Sequence, residues 1–335
     1  MGRTLRRWGR GAAPPVPARG PGGEASPGVP DGAEPAVSVR GLRKSYDGVP
    51  AVDGIDLEIP RGGVFALLGP NGAGKTTTVE ILEGYRSPDQ GQARVLGLDP
   101  GRERARLKPR VGIVLQSTGV ERYLTVAETV EMYAGFYPHP RPVGEVIDLV
   151  GLAAKAGQRV ARLSGGQQRR LDMGIALAGD PELLFLDEPT TGFDPSARRE
   201  AWEVIKNLAS LGKTVLLTTH YMDEAQYLAT QVAVMAGGRI VAEGPPATLG
   251  ERDRARARIR YRPSPGATPP PGLVGPIDPD GFIEVTVDDA VAEVHRLTGW
   301  ALDRRVTLDG LEVTRPSLED VYLSLTRGAG EDGGR

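Results

Sequence analysis

Residues Gly69-Pro70-Asn71-Gly72-Ala73-Gly74-Lys75-Thr76 fit the pattern G-x-x-x-x-G-K-[ST], and their flanks suit it. The apolar run Val64-Phe65-Ala66-Leu67-Leu68 before the pattern reads as a buried parallel strand. Thr76-Thr77-Thr78-Val79-Glu80-Ile81-Leu82 after it reads as the opening turns of a helix. A strand turning tightly into a helix aims successive backbone N–H groups, and the positive end of the helix dipole, at one point. The glycines let the main chain wrap a phosphate with no side chain in the way. Lys75 is placed to reach β- and γ-phosphates and the Thr76 hydroxyl to hold Mg²⁺. Gly69 to Thr77 is therefore the candidate phosphate-binding segment, with a nucleoside triphosphate as the expected ligand.

Composition narrows the rest. The chain has 335 residues, enough for about two domains. Its formal net charge is −2, so no nucleic-acid partner is expected. Cysteine is absent, which excludes disulfides, thiolate zinc sites and cysteine nucleophiles together. Three histidines, His139, His220 and His295, are too few for a histidine-rich metal site. No stretch approaches the ~18 consecutive apolar residues of a membrane-spanning helix. The N-terminus has arginines without an apolar core behind them, unlike a secretory signal. A cytosolic location is the expectation.

Residues 1–35 are rich in Arg, Pro and Gly with almost no large apolar side chains. Such a segment buries too little surface to offset its ordering entropy, so disorder is expected, and a mis-assigned start site explains it equally well. Folding signals begin at Val37-Ser38-Val39, followed by the alternating Asp56-Leu57-Glu58-Ile59. Val126 to Phe136, Val143 to Leu152 and Leu171 to Ala178 carry helical spacing. Leu183 to Leu186 and Thr214 to Thr218 read as buried strands, and Val232 to Met235 with Arg239 to Ala242 as a hairpin closed by Gly237-Gly238. After Gly244-Pro245-Pro246 the pattern changes. Arg256 to Tyr261, Phe282 to Val287 and Val306 to Val313 read as strands, Val291 to Leu297 and Ser317 to Leu325 as helices. That suffices for a small α/β or α+β appendage. The expected division is 1–35, 36–250 and 251–335.

Leu183-Leu184-Phe185-Leu186-Asp187-Glu188 is an apolar strand ending in two carboxylates. Asp187 is placed to hold Mg²⁺ through water, and Glu188 to polarise an attacking water. Two acidic residues in a surface turn are the plainer alternative. Leu163-Ser164-Gly165-Gly166-Gln167 opens another helix, and its free N–H groups and hydroxyl suit a phosphate. In isolation the same residues read as an ordinary helix N-cap.

Taken together, the phosphate loop, Leu163 to Gln167 and Leu186-Asp187-Glu188-Pro189 resemble the nucleotide-binding subunit of an ABC transporter. The resemblance covers about residues 37 to 250 and implies a P-loop ATPase fold with a helical subdomain. It also implies roles. Tyr46 would stack on adenine, and Gln116, after the strand Val111 to Leu115, would sense Mg²⁺ and the membrane partner. Thr191-Gly192-Phe193-Asp194 would cross a dimer interface, and His220 would contact the γ-phosphate. Phe193 departs from the leucine common in the family, and His139 and His295 match nothing. Pro316-Ser317-Leu318-Glu319-Asp320-Val321-Tyr322-Leu323 resembles the C-terminal motif of the daunorubicin-resistance type of exporter ATPase. The same residues also read as a capping-box variant that merely starts the last helix.

The resemblance further implies an ATP- and Mg²⁺-dependent homodimer. Each ATP would lie between Lys75 and Thr76 of one copy and Ser164, Gly165, Gly166 and Gln167 of the other. A separate integral-membrane permease would dock beside Gln116 and the helical region at 120–150. The protein would then sit peripherally on the inner membrane face. A DNA-repair or ribosome-associated ABC ATPase is the rival, although the long coiled coils or paired cassettes of those types are absent from this sequence. The Leu163 to Gln167 segment argues against a GTPase or kinase.

Overall fold

Continuous apolar runs decide the central architecture, because the inner strands of the main sheet are covered on both faces. The computed structural model describes residues 34–114, 119–249, 256–264, 266–315 and 317–323. In chain order the first elements are β1 (Val37–Tyr46), β2 (Val49–Ile59), β3 (Gly63–Leu68), α1 (Lys75–Leu82) and β4 (Gln90–Val95). There follow α2 (Arg104–Leu107), β5 (Val111–Val114), α3 (Val126–Ala134), α4 (Val143–Leu149), α5 (Gly165–Leu177), β6 (Leu183–Asp187) and α6 (Pro195–Ser210). Next come β7 (Thr214–Thr219), α7 (Met222–Leu228), β8 (Gln231–Ala236) and β9 (Arg239–Gly244). The last are β10 (Ala257–Pro263), β11 (Ile283–Val287), α8 (Ala290–Arg304) and β12 (Leu308–Thr314).

The main sheet runs β5-β6-β7-β3-β8-β9. Its first five strands are parallel, and β9 returns antiparallel to β8. Val64, Ala66 and Leu68 of β3 join Leu184 and Leu186 of β6 in a core shared with α3, α4, α5 and α6. Phe65, Leu67, Leu183 and Phe185 point the other way, into a core shared with the antiparallel sheet β2-β1-β4. The strands therefore read as continuous apolar runs, as two-sided burial requires. The β8–β9 hairpin turns at Gly237 (φ 55°) and Gly238 (φ 77°), two consecutive positive φ values that suit the twist of paired strands.

Residues from 256 onward form a separate antiparallel sheet, β11-β10-β12, with its own core around Ile259, Tyr261, Leu273, Val285 and Leu297. Packed against this sheet, α8 makes an α+β unit. The helical segment 318–323 behaves differently. Ser317 Oγ accepts from Asp320 N at 3.1 Å while an Asp320 carboxylate oxygen accepts from Ser317 N at 2.7 Å, a reciprocal cap. Leu318 is fully buried in the core of the main sheet, and Asp320 pairs with Arg258 of β10 at 3.1 Å. The motif thus starts a helical segment and links the two cores. Pro316 and Leu325 lie outside the described residues.

Several boundaries differ from the sequence reading. The helical spacing read from Leu171 to Ala178 is the later part of α5, which opens at Gly165, where Ser164 and Gln167 form a complete capping box at the Ser-Gly-Gly helix start. α3 ends at Ala134, short of Phe136. β4, α6 and α7 carried no sequence expectation. Among the described residues no helix is long and apolar enough to cross a membrane.

Candidate nucleotide site

Parallel strands place their C-terminal ends on one edge of a sheet, and such an edge is where open α/β sheets bind ligands. Here β6, β7 and β3 are adjacent. The edge therefore gathers Asp187 and Glu188 from β6, His220 after β7 and the phosphate loop after β3. A cavity of about 460 Å³ is lined by Tyr46, Ala51, Asn71 to Thr77, Asp187 and Glu188.

The loop's shape follows from its glycines. Gly74, the residue before α1, sits at φ +100°, and a Cβ there would stand 2.2 Å from the Ala51 carbonyl oxygen. Lys75 is buried, its Nζ donating to the carbonyls of Gly69 at 2.7 Å and Pro70 at 3.2 Å. Burial lowers its pKa, countered by the charges of Glu188 and Asp187. The ammonium is thus folded over its own loop, as the cation of an anion cradle would be. Thr76 is exposed at the cavity. A threonine hydroxyl and one carboxylate are a sparse protein ligand set, which suits Mg²⁺ that takes its remaining ligands from water and phosphate. Among the described residues no cluster of three or more acidic or histidine side chains offers a self-sufficient metal site.

Around the carboxylates the contacts are dense. Thr218 Oγ1 donates to Asp187 Oδ1, and Glu188 N donates to Thr218 O at 3.1 Å. Glu188 Oε1 lies 3.1 Å from His220 Nδ1, and Thr191 Oγ1 donates to Glu188 Oε2 at 3.1 Å. The Glu188 backbone sits at φ 45°, the left-handed region that a side chain occupies at a cost. Its surroundings hold it there, as expected where geometry serves chemistry. Arg169 of α5 is buried and donates to the carbonyls of Asp187 at 3.0 Å and Pro189 at 3.3 Å. It joins the Ser164 helix to the carboxylate turn.

The structure brings Tyr46, Gly72 to Thr77, Asp187, Glu188 and His220 to one edge. Tyr46 is 38% exposed, with the Arg86 guanidinium 5.4 Å from its ring centre. Ser164, Gly165 and Gly166 instead border a second cavity of about 830 Å³ with Glu188, Thr191, Phe193 and Asp194. The Ser164 side chain caps α5, accepting from Gln167 N at 3.3 Å. Asp194 caps α6 through Ser196 N and Ala197 N. Phe193 is half-buried against the main core. His139 and His295 are exposed and apart from the site. Gln116 lies outside the described residues. Sequence reasoning assigned no part to Arg169, Thr218 or Glu83. Glu83 is buried, and its burial and the nearby Asp187 and Glu80 charges push its pKa to about 8. The first signal available for these residues is their nearness in sequence to the recognised motifs.

A phosphate loop, a strand-end carboxylate pair and a histidine on one edge of a mainly parallel sheet define a P-loop ATPase cassette. Residues 52–191 match the family model for ABC transporter, and residues 257–317 that for the ABC transporter domain-containing protein-like C-terminal domain. The chain is 34% identical over 307 residues to the daunorubicin resistance ATP-binding protein DrrA3 of Streptomyces coeruleorubidus, covering 88% of this chain and 96% of that one. It is 40% identical over 231 residues to the Nod factor export ATP-binding protein I of Ralstonia nicotianae, covering 68% and 72%. Among solved structures, cbiO1 from Clostridium perfringens, part of the ABC transporter complex cbiONQ, superposes with a TM-score of 0.59. It is 29% identical, with 64% of this chain and 90% of that chain covered. The chain belongs to the ABC transporter ATP-binding family.

Proposed function

We propose that this chain is the ATP-hydrolysing subunit of an ABC exporter, working as a homodimer to power a separate membrane permease. The observation that carries the proposal is the meeting of Lys75, Asp187, Glu188 and His220 at one sheet edge. Lys75 and the loop N–H groups would hold the triphosphate. Thr76 and Asp187, with Gln116, would hold Mg²⁺, which supplies charge neutralisation on the phosphate oxygens when bound. Glu188 would orient and deprotonate the attacking water, its carboxylate aimed by Thr191 and His220. His220 would also reach the γ-phosphate.

Dimerisation has its own support. None of Ser164 to Gln167 lines the cavity of about 460 Å³ beside Lys75 and Thr76. The N–H groups of Gly165 and Gly166, inside the Ser164–Gln167 capping box at the start of α5, would serve a second copy's ATP, and Asp194 would lie where the copies cross. Tyr46 would stack on the purine. The exposed Tyr123, Met132 and Phe136 support permease docking along the helical region, which would place the chain peripherally on the inner face of the cell membrane. We divide the chain at 1–35, 36–250 and 251–335. Relatives named for daunorubicin resistance support drug or antibiotic efflux, while the Nod factor relative keeps another export cargo in view. Cargo contacts would belong to the permease, and an adjacent gene with about six apolar spans would support this reading over a non-transport ATPase.

The test is Glu188→Gln. It leaves ATP binding intact, slows turnover by ~10²–10⁴ and accumulates an ATP-bound dimer, read by ATPase assay and light scattering. Turnover within a few-fold of the wild type refutes the assignment.

A further inference from the structure

The Glu188–His220 contact belongs to a closed circuit that runs through a residue outside the nucleotide cavity. Glu224 lies in the first turn of α7 and is 0% exposed. Its Oε1 accepts from Thr190 Oγ1 at 2.8 Å and from Trp202 Nε1 at 3.0 Å. The Trp202 ring is itself held by stacking on Tyr227, with centroids 5.0 Å apart. Thr190 precedes Thr191, whose hydroxyl donates to Glu188 Oε2; Glu188 Oε1 meets His220; and α7 begins two residues beyond His220. One carboxyl oxygen therefore joins the loop after β6, helix α6 and helix α7. Burial raises the Glu224 pKa, while hydrogen bonds from Thr219, Thr190 and Trp202 and the Arg198 charge lower it. A carboxyl in such a place is costly, and an apolar side chain of similar volume would serve packing alone at least as well.

We propose that Glu224 is a positioning residue that locks the loop carrying Glu188 to the loop carrying His220, so that the two stay aimed at one point. The partner-crossing segment Thr191 to Asp194 is tied into the same lock, because Thr190 immediately precedes it. Movement of that segment when a second copy arrives is then felt at Glu188 directly. The inference rests on Glu188 and His220 being the hydrolytic pair.

The test uses the full chain with Glu224→Leu, Glu224→Gln and Thr190→Val, measuring kcat, KM for ATP, equilibrium ATP affinity and thermal midpoint. A misaimed base of this kind costs about 10- to 100-fold in rate. Glu224→Leu and Thr190→Val are expected to lose that much kcat with ATP affinity kept within about threefold. Glu224→Gln keeps the accepting oxygen and is expected to stay within about threefold of the wild type in kcat. The double variant Thr190→Val with Glu224→Leu is expected to be no slower than either alone, as for one shared interaction. Should Glu224→Leu not fold, Thr190→Val, which leaves no cavity, decides. Wild-type kcat in Thr190→Val, equal losses in Gln and Leu variants, or a parallel loss of ATP affinity overturns the proposal. Unimpaired turnover in Glu188→Gln instead overturns the reading of the site on which it rests.

Discussion

Two glycines of the phosphate loop separate what the backbone needs from what the ligand needs. Gly74→Ala places a methyl 2.2 Å from the Ala51 carbonyl oxygen and 2.8 Å from Met235 Cε, at φ +100°. Carbon and oxygen in ordinary contact stand about 3.5 Å apart, so β2 or the loop must retreat by about 1 Å. Overpacking of this kind costs about 1–3 kcal/mol. Holding alanine at that φ adds about 1–3 kcal/mol. The total of roughly 2–6 kcal/mol is a large part of a stability of about 5–15 kcal/mol. Gly72→Ala is the control: φ is +83°, but nothing lies within 4 Å of the added methyl. Only the conformational cost of about 1–2 kcal/mol remains. Gly72 lines the nucleotide cavity, so its methyl should weaken ATP binding more than it lowers stability. Urea titration of both variants measures the difference, with unchanged slopes licensing comparison of midpoints. At about 2–4 °C per kcal/mol, the thermal midpoint of Gly74→Ala should fall several degrees further than that of Gly72→Ala. Equal midpoints would refute the argument that close approach of β2 is why glycine occupies position 74.

Tyr46→Ala should weaken nucleotide binding while Tyr46→Phe should not, because stacking uses the ring face and not the hydroxyl; equal affinities in a binding titration would make Tyr46 a packing residue. Mixing Lys75→Ala with Ser164→Arg should yield dimers with one site carrying both defects and one carrying neither. Restored ATPase activity, or one trapped ATP per mixed dimer, is the expected reading, and two equivalent half-damaged sites would defeat the shared-site model. Glu83 holds its proton in the folded state up to about pH 8, against a usual value of 4.5. The folded state therefore binds more protons than the unfolded one between those limits. Stability should fall as pH rises through that window, by up to about 1.4 kcal/mol per pH unit. Glu83→Gln should flatten the slope in urea midpoints measured across the window, and an unchanged slope would remove Glu83 as its source.

Local patterns carried far in this chain where the physics is local. The phosphate loop needs its glycines, lysine and threonine contiguous, so Gly69 to Thr77 is legible as a string. Gly237-Gly238 and the Ser317–Asp320 cap are equally short-range, and each forms where its spacing says it must. Two-sided burial wrote β3, β6 and β7 as unbroken apolar runs. The order β6-β7-β3 is another matter, because setting β3 against β7 depends on contacts between residues more than a hundred positions apart, such as Phe65 with Leu216. That order alone sets Glu188 beside His220 and both beside Lys75. Nor does residue type announce that Arg169 and Glu224 are buried, since charged side chains are ordinarily solvated and only packing from several elements can enclose and pair them. The left-handed backbone of Glu188 is likewise imposed by its neighbours: nothing in Leu-Asp-Glu-Pro asks for φ 45°, and Thr218, Thr191 and His220 hold it there only once three strands have come together.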